Sequence, residues 1–233
     1  MEKLSIKFIQ KNLDNSLVGK NIIYFEEIDS TNDYAAKLIK DKKTVNTASD
    51  INGTVIISET QTKGKGRFDK IWISPQGGLW FSIILKPQIE SNNLSKITLV
   101  GAASIVEVLI NEYFEGMQCK DLNIKWPNDI YYKDKKLAGI LAESEKINDK
   151  FYLILGIGLN VNCSIKNNSS GNMENIKAIS LKDILETQID RNFLLLKILS
   201  AFEKNYIYFI STRDFKTIFN KIKKSLVLQI PRH

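Results

Sequence analysis

Apolar and polar positions along the chain follow two periods. Residues 21–28, 55–58 and 79–85 are short apolar-rich runs of strand length. Residues 123–125 form another and end in Lys125. Residues 130–132 and 137–143 flank Lys133-Asp134-Lys135, which predicts a hairpin. Residues 151–161 read as a long apolar strand carrying Gly156 and Gly158. Helical spacing starts at Tyr34, Ala35, Leu38 and Ile39, just after Ser30-Thr31-Asn32-Asp33, where an acid follows a serine by three residues as at a helix N-cap. Residues 94–114 are apolar almost all round, so that helix is expected to be buried on most sides. Beyond Ser180 the pattern turns helical, over 181–186, 191–209 and 214–223. Residues 225–230 are strand-like again, and a lone strand needs a partner. No internal repeat is visible, and the Asn- and Lys-rich stretches 42–52 and 166–175 read as solvated connections. The pattern predicts an α/β (α+β) chain: a mixed sheet with helices packed on one face, rather than a doubly wound parallel sheet.

Composition narrows the chemistry. A length of 233 residues suits one core of ordinary size with at most a minor appendage. The chain is 43% apolar and 25% charged, a globular balance. Its formal charge of +7 fits nucleic acid, an anionic surface or a phosphate-bearing substrate, and equally a lysine-rich surface. His233 is the only histidine, which argues against Ser-His-Asp, Cys-His and His-metal chemistry. Cys119 and Cys163 form neither a CxxC nor a disulfide framework, as suits a reducing compartment. The opening MEKLSIKFIQKN has no signal-peptide core. The longest fully apolar stretch, 151–159, is far short of the ~18 residues of a membrane span. A cytoplasmic location, without membrane association, is expected.

Four clusters could carry chemistry. In Gln61-Thr62-Lys63-Gly64-Lys65-Gly66-Arg67-Phe68-Asp69-Lys70-Ile71-Trp72, glycines allow close approach and positive φ, and the cations can neutralise phosphate or carboxylate oxygens. A basic surface loop is the competing reading. The stretch is neither a Walker A loop nor a dinucleotide fingerprint. Lys125-Trp126-Pro127-Asn128-Asp129 joins a strand-end lysine to a fixed turn, with Asn and Asp oxygens that could orient the loop or bind Mg²⁺. The segments 135–143 and 156–162 place small residues in strands, where a ligand or only a neighbouring chain comes close. Trp72, Trp80 and Trp126 all fall around the first two clusters and read as core or as walls for a ring-shaped ligand.

Together, Ser30-Thr31-Asn32, Gly64-Lys65-Gly66-Arg67…Trp72, Lys125-Trp126-Pro127-Asn128-Asp129, Lys136-Leu137-Ala138-Gly139-Ile140-Leu141 and Gly156-Ile157-Gly158-Leu159-Asn160 resemble biotin protein ligases in order and spacing. The resemblance covers residues 22–162 strongly and the later helices weakly. It implies the catalytic fold shared with class II aminoacyl-tRNA synthetases and lipoate ligases. It implies a reaction in which ATP and biotin, with Mg²⁺, give biotinyl-5′-AMP, and biotin then passes to one lysine of a biotin carboxyl carrier protein such as that of acetyl-CoA carboxylase. By resemblance, Ser30, Thr31, Asn32 and Gln61 surround biotin, with Gly156 along it. Lys65, Gly66 and Arg67 line the activated carboxyl and phosphate, with Lys70 among the cations there. Lys125 touches the reacting region, and Arg67 and Lys125 are the expected catalytic residues. Asn160 lies near the nucleotide. Lys136 matches a basic position of less defined role. No residue is singled out as a metal ligand, Mg²⁺ coming with the ATP phosphates.

The residues agree with this chemistry, because a carboxylate attacking phosphorus needs no histidine base. It needs relief of the repulsion between two anions. The alternatives are a lipoate or octanoate ligase of the same fold, or an inactive relative. The family loop reads GRGRxGRxW, so Lys65 and Lys70 replace arginines and lose a planar two-pronged donor, while Asp69 replaces a glycine. About twenty residues precede the first strand, too few for a helix-turn-helix, so no nucleic-acid partner is expected. Residues 1–224 are expected to form the catalytic domain and 225–233 a remnant of a truncated SH3-like domain. The family often dimerises through sheet edges, which makes a homodimer an implication of the resemblance.

Overall fold

The computed structural model describes residues 2–41, 51–88, 94–114, 117–125, 128–147, 150–164 and 177–223. The Trp126-Pro127 pair and the expected C-terminal remnant lie outside the described residues. The strands are β1 (Ile22–Ile28), β2 (Val55–Gln61), β3 (Leu79–Leu85), β4 (Leu122–Lys125), β5 (Asp129–Tyr132), β6 (Lys135–Ile147) and β7 (Lys150–Leu159). They form one seven-stranded sheet in the order β1-β2-β3-β7-β6-β5-β4. β1 and β2 are parallel and every other pair is antiparallel, so the sheet is mixed as the pattern predicts.

Alternation along each strand sends successive side chains to opposite faces. On one face Val55, Ile57, Phe81, Ile83, Leu155, Ile157, Ala138 and Ile140 join the main core. Helices α3 (Leu94–Glu112), α6 (Arg191–Thr212) and α7 (Phe215–Lys223) pack with it. Ile97, Val100, Ile105 and Leu109 of α3 are fully buried, as its lack of a polar stripe demands. The expectation of helices on one face holds for these long elements. α2 (Thr31–Lys40) differs: it lies on the other face, where Ala35 and Ile39 join Ile56, Ile84, Tyr152 and Ile154 in a smaller core.

Four short or extended features differ from the reading of the pattern. α1 (Ile6–Asn12) and α4 (Met117–Asp121) are too brief for their period to stand out. α5 (Leu181–Leu185) ends one residue early, with Glu186 in a left-handed conformation. α6 runs on to Thr212 before Arg213, also left-handed, ends it.

The N-terminal segment is tied down by two buried carboxylates. Glu203 of α6 accepts from the backbone N–H groups of Ser16, Leu17 and Val18 at 2.5–2.9 Å. Glu59 of β2 accepts from Leu4 N–H at 2.6 Å and pairs with Arg191 at 2.8 Å.

Candidate active site

The register of the sheet builds the floor of a site on the face opposite the main core. One row crosses the sheet as Trp80, Gly158, Gly139, Asp129 and Lys125, from β3, β7, β6, β5 and β4. The adjacent row is Ser82, Gly156 and Leu141. Glycines at the centre of both rows leave a trough that other side chains can enter. Trp72 lies over Gly139 and Gly158, where a Cβ on either would come within 3.0 Å of the indole. Its Nε1 is buried without a partner. Asn32 lies over Gly156, where a Cβ would sit 2.9 Å from its amide carbon.

The N-terminus of α2 closes one end of the trough. Ser30 caps the helix, its hydroxyl accepting from Asp33 N–H at 3.3 Å. Ser30, Thr31 and Asn32 are all buried. Thr31 N–H donates to Gln61 Oε1 at 2.8 Å, and the Gln61 amide donates to Ser74 Oγ at 2.8 Å. Ser82 Oγ lies 2.7 Å from Thr31 Oγ1 and 2.6 Å from Asn32 Oδ1. Asn32 Nδ2 donates to Glu143 Oε2 at 2.6 Å. Of the polar residues expected around biotin, Thr31, Asn32 and Gln61 form one connected chain through Ser82, while the Ser30 hydroxyl caps the helix instead.

The glycine-rich loop folds back on itself beside this chain. Trp72 N–H donates to Gly64 O at 2.8 Å and Gly66 N–H to Lys70 O at 2.7 Å. Lys70 N–H donates to Arg67 O, closing a turn whose central residues Phe68 and Asp69 have φ of 55° and 57°. Both central residues lie on the positive-φ side, as in the primed turns of hairpins. The expectation that Gly64 and Gly66 supply the positive φ is thus corrected, since that conformation falls on Phe68 and Asp69. Gly64 is needed for close approach instead, because a Cβ there would meet Ser74 Oγ at 2.7 Å and press on Trp72 O. Asp tolerates the left-handed region, whereas Phe68, 82% exposed, holds it at a cost of order 1–3 kcal/mol.

Arg67, Lys125 and Lys136 gather at the other end of the rows, while Lys65 lies by the N-terminus of α2. Arg67 donates to Asn128 Oδ1 at 3.0 Å, and Asn128 N–H donates to Lys125 O. Asn128 is held in turn by its amide on Ile140 O at 3.0 Å. One buried asparagine therefore joins the two cationic segments, and the loop-orienting role read from its position is what its contacts do. Lys125 is exposed, with its ammonium 5.4 Å from the Tyr131 ring centre. Lys136 pairs with Asp129 at 2.9 Å and sits 5.0 Å from the Trp72 ring centre, with only 16% of its side chain exposed. Lys65 contacts Asp33. Hydrogen bonding to Asp33 raises the Lys65 pKa, with further contributions from the Glu143 and Asp69 charges against a lowering by burial, so it stays protonated.

Asn160 is buried, and its amide donates to Lys136 O at 3.3 Å and Ile179 O at 3.2 Å. It ties the start of β6 to the segment at Ile179. Gly156 is in the floor, Gln61 at the end of β2, and Lys70 on the exposed loop. The reading of the sequence missed Ser82, and it had Glu143 only as the last residue of the segment 135–143, with no role of its own. Both sit in otherwise ordinary strands, and only the register places them at Gly156 and Asn32. The open cleft lined by Tyr113, Ile189 and Phe193 shares no lining residue with these rows.

A mixed sheet with this glycine-floored trough and loop defines a biotin/lipoate ligase class of catalytic domain. Residues 24–160 match the model of the biotin/lipoate A/B protein ligase family, and the chain belongs to that family. The bifunctional ligase/repressor BirA of Bacillus subtilis is 35% identical over 217 residues, covering 92% of this chain and 61% of BirA. The chain thus spans about three-fifths of that relative's length. A human biotin–protein ligase is 31% identical over 166 residues, covering 69% of this chain and 22% of the human protein. Among solved structures, the Aquifex aeolicus biotin protein ligase in complex with biotin and ATP matches with a TM-score of 0.68 and 31% identity. That match covers 89% of this chain and 79% of the Aquifex chain. Among the described residues, no helix is long and apolar enough to cross a membrane.

Proposed function

We propose that this chain is an ATP-dependent biotin–protein ligase. It joins the biotin carboxylate to AMP and passes the biotinyl group to one lysine of a biotin carboxyl carrier protein. The observation that carries this reading is the continuity of the trough. Polar groups of Thr31, Asn32 and Gln61 stand at one end of a glycine floor, and Arg67, Lys125 and Lys136 gather at the other. On this reading the bicyclic ring of the acid lies at the polar end and its carboxylate toward the cations.

In the first step a biotin carboxylate oxygen attacks the α-phosphorus of ATP, and the bond to the β-phosphate oxygen breaks to release pyrophosphate. Arg67, Lys65 and Lys125, with Lys70 and Lys136, lower the repulsion between the two anions. Arg67 is pre-aimed by Asn128, which removes part of the ordering cost. In the second step a neutral lysine amine attacks the acyl carbon, AMP leaves, and the surplus proton passes to solvent. Lys125 steadies the departing phosphate. Asn160, expected near the nucleotide, also holds the strand carrying Lys136.

Magnesium is implied with ATP. Among the described residues, no cluster of three His, Cys, Asp or Glu side chains could hold a metal. Asp129 does present a buried oxygen without a partner, Oδ1, while Oδ2 holds Lys136. One carboxylate oxygen plus substrate phosphates is a donor set that Mg²⁺ accepts, so the residues fit and Asp129 would hold it. Bound there, the ion would neutralise phosphate charge.

The test is incubation of the purified chain with biotin, Mg-ATP and a biotin carrier domain. The expected result is a mass increase of one biotinyl group on one lysine, greatly slowed by Lys125→Ala. A mass gain with lipoate but not with biotin would overturn the proposal.

A further inference from the structure

We infer that Glu143 and Ser82 are positioning residues that set the hydrogen-bond polarity of the acid-binding pocket, making Thr31 an acceptor and Asn32 a donor toward the bound ring. This deepens the biotin reading and rests on it. The argument starts at Glu143, whose carboxylate only accepts. Asn32 Nδ2, 2.6 Å away, must donate to it, which turns Asn32 Oδ1 toward Ser82 Oγ at 2.6 Å. Ser82 has one hydroxyl hydrogen and spends it on that oxygen. Its lone pair then receives the Thr31 hydroxyl at 2.7 Å. Gln61 Oε1 is already met by Thr31 N–H at 2.8 Å and lies farther from Thr31 Oγ1, at 3.1 Å.

The direction of every proton in this chain follows from one carboxylate. What remains for a ligand is a lone pair on Thr31 and the second N–H groups of Asn32 and Gln61. The buried Trp72 Nε1–H adds another unspent donor. A cyclic urea, with N–H donors beside a carbonyl acceptor, is the ring chemistry that complements this set. A dithiolane ring has neither. Ser82 is fully buried, so water cannot stand in for its hydroxyl, and Gly156 lets the Asn32 amide lie flat in the relay. Without Glu143 the amide is free to turn over and reverse the chain, leaving Thr31 to present a hydrogen where it now presents a lone pair.

The experiment measures steady-state kinetics of biotinylation for Glu143→Leu, Glu143→Gln, Ser82→Ala and the Ser82→Ala/Glu143→Leu double variant, with melting curves for each. Glu143→Leu is expected to raise the biotin KM about tenfold, the effect of one buried polar group left mismatched. The ATP KM should rise far less than the biotin KM, because the hydrogen-bonded relay ends at Thr31 and only the Glu143 charge is felt among the cations, at Lys65. Glu143→Gln, which restores an accepting oxygen, should recover most of the loss. The double variant should be no worse than about the larger single effect, since both act through one chain. An unmoved biotin KM in Glu143→Leu, an equal rise in the ATP KM, no rescue by Gln, or additive losses would each overturn the inference. Should Glu143→Leu not fold, the Gln variant and Ser82→Ala decide it by the same biotin-against-ATP comparison. A wild-type chain that fails to biotinylate refutes the ligase reading, whereas an active wild type with an indifferent Glu143→Leu refutes only the relay.

Discussion

Replacing Arg191 by leucine removes one partner of a buried ion pair and leaves the other in place. Arg191 opens α6, donates to Glu59 at 2.8 Å and to Gly78 O at 3.1 Å, and also reaches Glu2 O. Both side chains of the pair are only 3% exposed. Glu59 would keep Leu4 N–H at 2.6 Å and the Tyr24 hydroxyl at 3.2 Å, yet it would hold a charge with no counter-ion. Breaking such a pair from one side costs about 3–5 kcal/mol. A domain of this size loses about 2–4 °C of melting temperature per kcal/mol, so Arg191→Leu should melt roughly 6–20 °C lower. The assay is thermal unfolding followed by circular dichroism, repeated on Glu59→Gln/Arg191→Leu. The double variant should regain a large part of the loss, because the stranded charge, rather than the lost attraction, carries the penalty. Arg191→Leu melting within about 2 °C of wild type, or a double variant no better than the single, would refute this account.

Gly156→Ala should weaken biotin binding by about tenfold or more in calorimetry, since the added methyl displaces Asn32 and disturbs its bonds to Ser82 and Glu143; unchanged affinity would show that Asn32 moves at no cost. Burial pushes the Cys163 thiol up to about 11 from 9.0, so it should resist iodoacetamide in the native protein at pH 8 while half-buried Cys119 reacts first. The sign follows from the neutral form being favoured in the fold: this contribution to stability is complete below about pH 9 and is lost as pH rises toward 11, which urea melts across that range can check. Lys65→Arg with Lys70→Arg should slow release of labelled biotinyl-AMP, because planar guanidinium groups hold phosphate by two bonds; an unchanged off-rate would deny the two lysines that role.

The legible part of the fold was the part with a strong period. The apolar run that became β7 and the continuous apolar surface of α3 leave one choice of element, and the Ser30 cap marks the start of α2 where the structure has it. The candidate site was legible as separate clusters, because glycine and cation spacing is local. Their joining was not, since Arg67 reaches Asn128 across 61 positions and the Asn32–Glu143 bond spans 111. Ser82 carries no local signal, and Glu143 only closes a segment flagged for its small residues: a serine and a glutamate in strands become site residues only through register with Gly156 and contact with Asn32. The left-handed turn was half visible, for Asp69 suits it and Phe68 does not. Lys136 was left with an open role because a lysine in a hairpin is usually solvated, whereas here Asp129 and Trp72 enclose it.

The glycine floor belongs to β7 and β6, flanked by β3 in the middle of the sheet, and the far side of these strands is locked into the main core by Phe81, Leu155, Ile157 and Ile140. Such strands breathe only when the whole domain opens. Amide exchange in the floor should therefore report global unfolding, and a bound ligand should slow it only by stabilising the entire molecule. The loop from Thr62 to Ile73, with Phe68, Ile71 and Ile73 turned to water, is a wall of the trough that does not share that fate. Deuterium uptake there should fall on ligand binding well before the floor responds, which makes this hairpin the door and leaves the strands as masonry.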